Sequence, residues 1–108
     1  MSNANREEIR RLDEIIYQHI SRGRYEEGEV AVKRSLALLK EEGLDNPASV
    51  ARVAYDGYQG RLFAKDREGA KRWLTLVIDM QRLSDRTKGP EVRRLEGLLR
   101  DLETNSIS

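Results

Sequence analysis

A chain of 108 residues, 38% apolar and 36% charged, is one amphipathic domain able to bury a modest core. Its 20 Lys and Arg against 19 Asp and Glu leave a net charge of only +1. Because the two signs are interspersed along the chain, the pattern excludes a generic basic nucleic-acid binder and reads as a solvated helical surface.

The chain opens on Met1-Ser2-Asn3-Ala4, which reads as an expression scar over residues 1–4, so the domain is expected over 5–102 with a frayed tail at 103–108. From about Asn5, apolar residues recur at Ile9, Leu12, Ile15, Ile16 and Ile20, the rhythm of one helical face. Asn3 or Asn5 is placed to cap this helix, and Glu7 and Glu8 suit its positive end. Gly23 ends it in a left-handed conformation. A second helix is expected from Tyr25 to Glu42, with Val32, Leu36 and Leu39 inward, flanked by Tyr25, Val30 and Leu38; Gly43 stops it.

Asn46 before Pro47 is a helix start: a capping side chain, then proline at the first helical position. The third helix, about Pro47 to Ala64, turns Val50, Val53, Ala54, Tyr58 and Leu62 inward. Gly57 and Gly60 weaken it by about 1 kcal/mol each relative to Ala, and close contact with another helix is the expected return. Asp66 caps the fourth helix, Arg67 to Leu83, which is apolar through Ala70, Trp73, Leu74, Val77, Ile78 and Met80. After a polar loop, Gly89-Pro90-Glu91 opens a fifth helix striped by Val92, Leu95, Leu98, Leu99 and Leu102. No strand signal competes.

The two hairpin turns repeat. Gly23-Arg24-Tyr25-Glu26-Glu27-Gly28 and Lys65-Asp66-Arg67-Glu68-Gly69-Ala70 both fit the tetratricopeptide turn, in which a small sixth residue lets the second helix lie against the first. Gly28 and Ala70 hold that position, 42 residues apart against about 34 in the usual repeat. His19 and Arg61 stand where a tyrosine is usual, so generic helical hairpins remain an alternative. The expected fold is all-α: a tetratricopeptide-like right-handed superhelix of two hairpins closed by a C-terminal capping helix.

Three stretches, Arg52-Val53-Ala54-Tyr55-Asp56-Gly57-Tyr58, then Ala64 to Trp73, then Lys88-Gly89-Pro90-Glu91-Val92, go further. Their order resembles the helical C-terminal region of fungal SET-domain proteins, relatives of the SET-and-MYND lysine methyltransferases, over most of Leu12 to Leu102. The resemblance implies a fragment of a larger protein whose helical lobe shapes a substrate cleft or offers a docking surface. The catalytic Asn-His motif, catalytic tyrosine region and cysteine zinc ligands of a SET domain are not in this sequence, so no catalytic residue carries over.

No catalytic, metal or cofactor site is expected from the residues themselves. His19 is the sole histidine and lacks partner ligands; Glu26, Glu27 and Glu29 at a helix start favour the helix dipole; Trp73 reads as core. Phosphate loops and nucleophile elbows are missing. If the first helix of each pair lines a concave groove, Arg10, Asp13 and Tyr17 join Arg52, Tyr55 and Gln59 there as candidate partner contacts. The expected function is a non-catalytic interaction module for a protein or peptide. The alternatives are a structural lobe of an enzyme, or a self-associating protein that leaves Tyr25, Val30 or Phe63 exposed at an open end and forms a homodimer. No membrane partner is expected, because no apolar run reaches the roughly 20 residues of a span. No signal peptide opens the chain and there is no cysteine, so the expected location is intracellular, cytoplasmic or nuclear.

Overall fold

The computed structural model describes residues 3–84 and 89–104. Five α-helices follow in order: α1 (Asn3–Ser21), α2 (Tyr25–Glu41), α3 (Pro47–Phe63), α4 (Arg67–Ser84) and α5 (Pro90–Thr104). The described residues contain no strand and no helix long and apolar enough to cross a membrane. The polar-loop residues 85–88 and residues 105–108 of the expected tail lie outside the described part.

Local chemistry sets most boundaries. Asn46 is extended at φ −66°, ψ 159°, and its side chain accepts from the Ser49 amide at 3.0 Å, with Pro47 opening α3. Asp66 does the same for α4, accepting from the Gly69 amide at 3.0 Å. The start of α1 differs from expectation. Because the helix already begins at Asn3, Asn5 lies inside it and donates from its side chain to Glu42 at 3.0 Å. Glu7 and Glu8 are thereby moved past the first turn, where they pair with Arg10 and Arg34.

The two hairpin turns have the same backbone hydrogen bonds at the 42-residue offset. The Arg24 amide donates to the His19 carbonyl at 2.8 Å and Asp66 to Arg61 at 2.9 Å; Gly23 donates to Ile20 and Lys65 to Leu62. This is the six-to-one and five-to-two pairing that closes a helix through a left-handed residue. Gly23 supplies that residue at φ 77°, and Lys65 adopts it at φ 61° without a glycine's freedom.

Small residues then let the helices close. Gly28 is buried against Ile20, and Gly60 also faces the Ile20 side chain. A Cβ on Gly57 would sit 2.6 Å from the Trp73 ring, so only glycine admits the indole there. Helix α1 packs on α2, α2 on α3, α3 most extensively on α4, and α4 on α5. One core cluster joins the first hairpin to α3 through Leu12, Ile16, Val32, Leu38, Leu39 and Val53; a second joins α3, α4 and α5 through Ala54, Tyr58, Leu74, Val77, Ile78 and Leu95. Ile15 and Leu62, expected inward, are only partly covered, at 37% and 39% exposed.

Candidate functional site

The last helix departs from the pattern set by the first four. Helix α3 touches both members of the preceding hairpin, α1 and α2, whereas the α5 backbone lies against α4 and meets α3 only through side chains, with Leu95 in the core shared by Ala54 and Tyr58. The gap between α3 and α5 is a cleft floored by α4. Its N-terminal half, about 460 Å³, is lined by Arg52, Tyr55 and Asp56 of α3, Gln81 and Ser84 of α4, and Glu91 and Arg94 of α5. One turn further along both helices a second hollow opens. This half, about 800 Å³, lies between Tyr58 and Leu62 on one wall and Leu98 and Leu102 on the other, with Lys65, Asp66, Arg67 and Asp101 at its mouth. The Tyr55 and Tyr58 rings, 5.3 Å apart, line the first and the second hollow respectively.

Most charges in the first hollow are already engaged. Arg52 pairs with Asp13 across the helices at 3.4 Å. Arg94 pairs with Glu91, and that bond, with Tyr55 a lesser influence, keeps its guanidinium protonated. Asp56 forms no hydrogen bond or ion pair with the described residues. Burial pushes its carboxyl up from the usual aspartate value; the Arg52 charge offsets part of this, and Asp13 adds to it.

Across α3, on the side facing α2, the polar groups are saturated. Arg61, only 7% exposed, reaches Glu29 through Nε and Nη2 at 3.1 and 2.8 Å, and Glu26 through Nη1 at 2.8 Å. Asp66 adds a longer contact at 3.4 Å. The Trp73 indole donates to the same Glu29 carboxylate at 2.8 Å. Burial opposes ionisation of Glu29, yet the bonds from Trp73 and Arg61 hold its carboxyl below the usual range; the bond from Arg61 does the same for exposed Glu26. Glu26 and Glu29, expected to serve the helix dipole, therefore join the two hairpins, and Trp73 is half-buried with its polar edge satisfied.

The six residues expected to line a groove separate into two groups. Arg52 and Tyr55 line the cleft, with Asp13 beside it through its pair to Arg52. Arg10 is exposed and bonded to Glu7 on its own helix, Tyr17 is 73% exposed, and Gln59 is half-buried outside the cleft lining. Asp56, Arg94, Leu62, Leu98 and Leu102 were not among the candidates, because the separation of α5 from α3 has no local sequence signal. His19 is half-buried at the first turn, its Nδ1 accepting from Arg24 at 3.2 Å. Among the described residues no group of three His, Asp or Glu side chains is placed to hold a metal. In comparisons with protein-family models, curated proteins and solved structures, nothing matches this chain.

Proposed function

We propose that this chain is a non-catalytic interaction module that binds a protein or peptide in the α3–α5 cleft. The carrying observation is the cleft itself: two helices held apart on the floor of a third, with a hollow that no described element fills. Grooves between helices are a recurrent place for a partner's amphipathic helix, whose apolar face replaces the missing neighbour. The repeated turns support a tetratricopeptide-like arrangement for the first four helices, and the displaced α5 then widens what would be the next inter-repeat groove. In this proposal the residues behind the resemblance to SET-domain lobes, Gly57, Gly69, Ala70 and Trp73, serve packing: each is buried or holds a neighbouring side chain in close contact. The resemblance adds a context, a lobe of a larger protein, and no active site.

Self-association has less behind it. Val30 and Phe63 are 68% and 55% exposed, but they sit on different helices, and single exposed apolar residues are ordinary on a protein surface. Selection of a displayed library of 16-residue peptides tests the proposal: bound peptides should lose the wild-type chain's affinity when Leu62→Glu and Leu98→Glu are introduced with helicity intact. Peptides indifferent to both changes would place binding elsewhere, and light scattering that rises with concentration would favour the self-associating alternative.

A further inference from the structure

The five helices are not equally held. In α5 only Val92 and Leu95 are buried, against seven residues in α3 and five in α4. Leu95 joins the core of Ala54, Tyr58, Val77 and Ile78, while Leu98, Leu99 and Leu102 pack on its edge and stay partly exposed. Among the described residues one ion pair, Arg82–Glu96, ties α5 to another helix. Both of its side chains are well exposed, so it adds little. Helix α1, at the other end of the chain, makes the contrast. It too buries only two apolar side chains, Leu12 and Ile16. Yet α1 packs on both α2 and α3, and three polar links fasten it to later parts of the chain: Asn5 to Glu42, Glu8 to Arg34 and Asp13 to Arg52.

Resting on the reading of the cleft as an interaction groove, we propose that α5 undocks from α4 as a unit while the first four helices stay folded. The cleft is then a clamp, with α3 as its fixed jaw and α5 as its movable one. Undocking uncovers part of the core that Leu95 shares. It leaves intact the other core cluster, around Ile16, Val32, Leu38 and Val53, and the bonds that Glu29 accepts from Arg61 and Trp73. An element with few buried contacts opens at a lower free energy than the whole chain unfolds. An occupant seated against Tyr58 and Leu62 on one wall and Leu98 and Leu102 on the other meets both walls only in the docked form. Binding therefore holds α5 down, and whatever undocks α5 releases the occupant. Such control acts through residues such as Val92 and Glu96, neither of which lines the cleft.

Amide exchange of the intact chain, followed residue by residue in low denaturant, tests this. Amides of α5 from Leu95 to Leu102 should exchange together and about tenfold or more faster than the protected amides of α3 and α4. Those of α1 from Leu12 to Ile20 should stay with the slow class. Val92→Ala should speed α5 exchange by a further factor of about ten and leave α1, α2 and α3 as they were. If α5 exchanges no faster than α3 and α4, or if Val92→Ala speeds every helix alike, the chain opens as one unit and the proposal falls, whatever the cleft binds. A peptide from the displayed 16-residue library, at about 100 times its Kd, should slow α5 exchange roughly a hundredfold. Independent opening of α5 that bound peptide leaves unchanged would instead sink the clamp together with the reading of the cleft as its binding site.

Discussion

The two sides of α3 treat buried charge in opposite ways. Facing α2, Arg61 is almost wholly buried and answered by Glu26, Glu29 and Asp66, with Trp73 completing Glu29. Facing α5, Asp56 is half-buried with no hydrogen bond or ion pair in the described chain, and the charge of Arg52 offsets its burial only in part. A closed network fixes how the hairpins sit, because each donor and acceptor has one best arrangement. A charge only partly offset in an open cleft does the reverse: it costs the free protein some stability and is relieved when a partner binds. The contrast separates what holds the fold from what it offers.

The largest expected break is in the closed network. Arg61→Met leaves Glu29 with only Trp73 and should destabilise the chain by about 3 kcal/mol, near the low end for a broken buried pair because Glu26 is exposed. In thermal melting this is a fall of roughly 12 °C or more. Acid should attack the same place. The carboxyls of Glu26 and Glu29 are lowered in the folded chain, so their contribution is present above the unfolded glutamate value of about 4.3 and is lost as pH falls through their folded values. Trp73 is the only tryptophan and donates to Glu29, so its emission should shift to the red as pH falls below about 4 and stay unchanged at roughly pH 6–8, above the carboxylate range. A flat emission profile through acid would show that the network does not hold the indole.

Much of the first side was legible and its central residue was not. Asn46-Pro47 named a helix start, Gly23 and Gly43 named two helix ends, and Gly57 with Gly60 announced close packing, because these signals act within a few residues. Arg61 lies 32 residues from Glu29, and Trp73 lies 44 from it. No local pattern connects residues so far apart, and Glu29 at the start of α2 already had a sufficient local explanation in the helix dipole. The cleft was half legible. Arg52 and Tyr55 followed from assigning the first helix of each pair to a groove, but that assignment also selected Arg10 and Tyr17, which are exposed on α1 and do not line this cleft. Asp56 and Arg94 line one hollow only because of the way α5 packs on α4, a tertiary choice that the stripe of leucines in α5 does not encode.

Smaller effects sharpen the second side. Asp56→Asn should raise stability at neutral pH by about 1 kcal/mol, the scale of a modest desolvation cost. The sign is opposite to that of Glu29. The folded Asp56 carboxyl is raised, so its contribution is most favourable below the unfolded value of about 3.9 and declines as pH rises through the folded value. The advantage of the variant should therefore shrink in acid, as pH-dependent melting would report. Ser35 provides the enclosed counterpart. Its hydroxyl is fully buried in α2 with no hydrogen-bond partner, so Ser35→Ala should stabilise by roughly 0.5–1 kcal/mol equally at every pH, and no ligand should alter that gain.

The central claim is that α3 presents a closed face to α2 and an open, binding face to α5. Backbone amide shifts of the labelled chain, titrated with a peptide selected from the displayed library, test it most directly. The account predicts perturbations concentrated at Tyr55, Asp56, Tyr58, Leu62, Arg94 and Leu98, with Glu29, Arg61 and the Trp73 indole nearly still. Perturbations centred on Arg61 and Trp73, or on the exposed α1–α2 surface around Tyr17 and Val30, would contradict it.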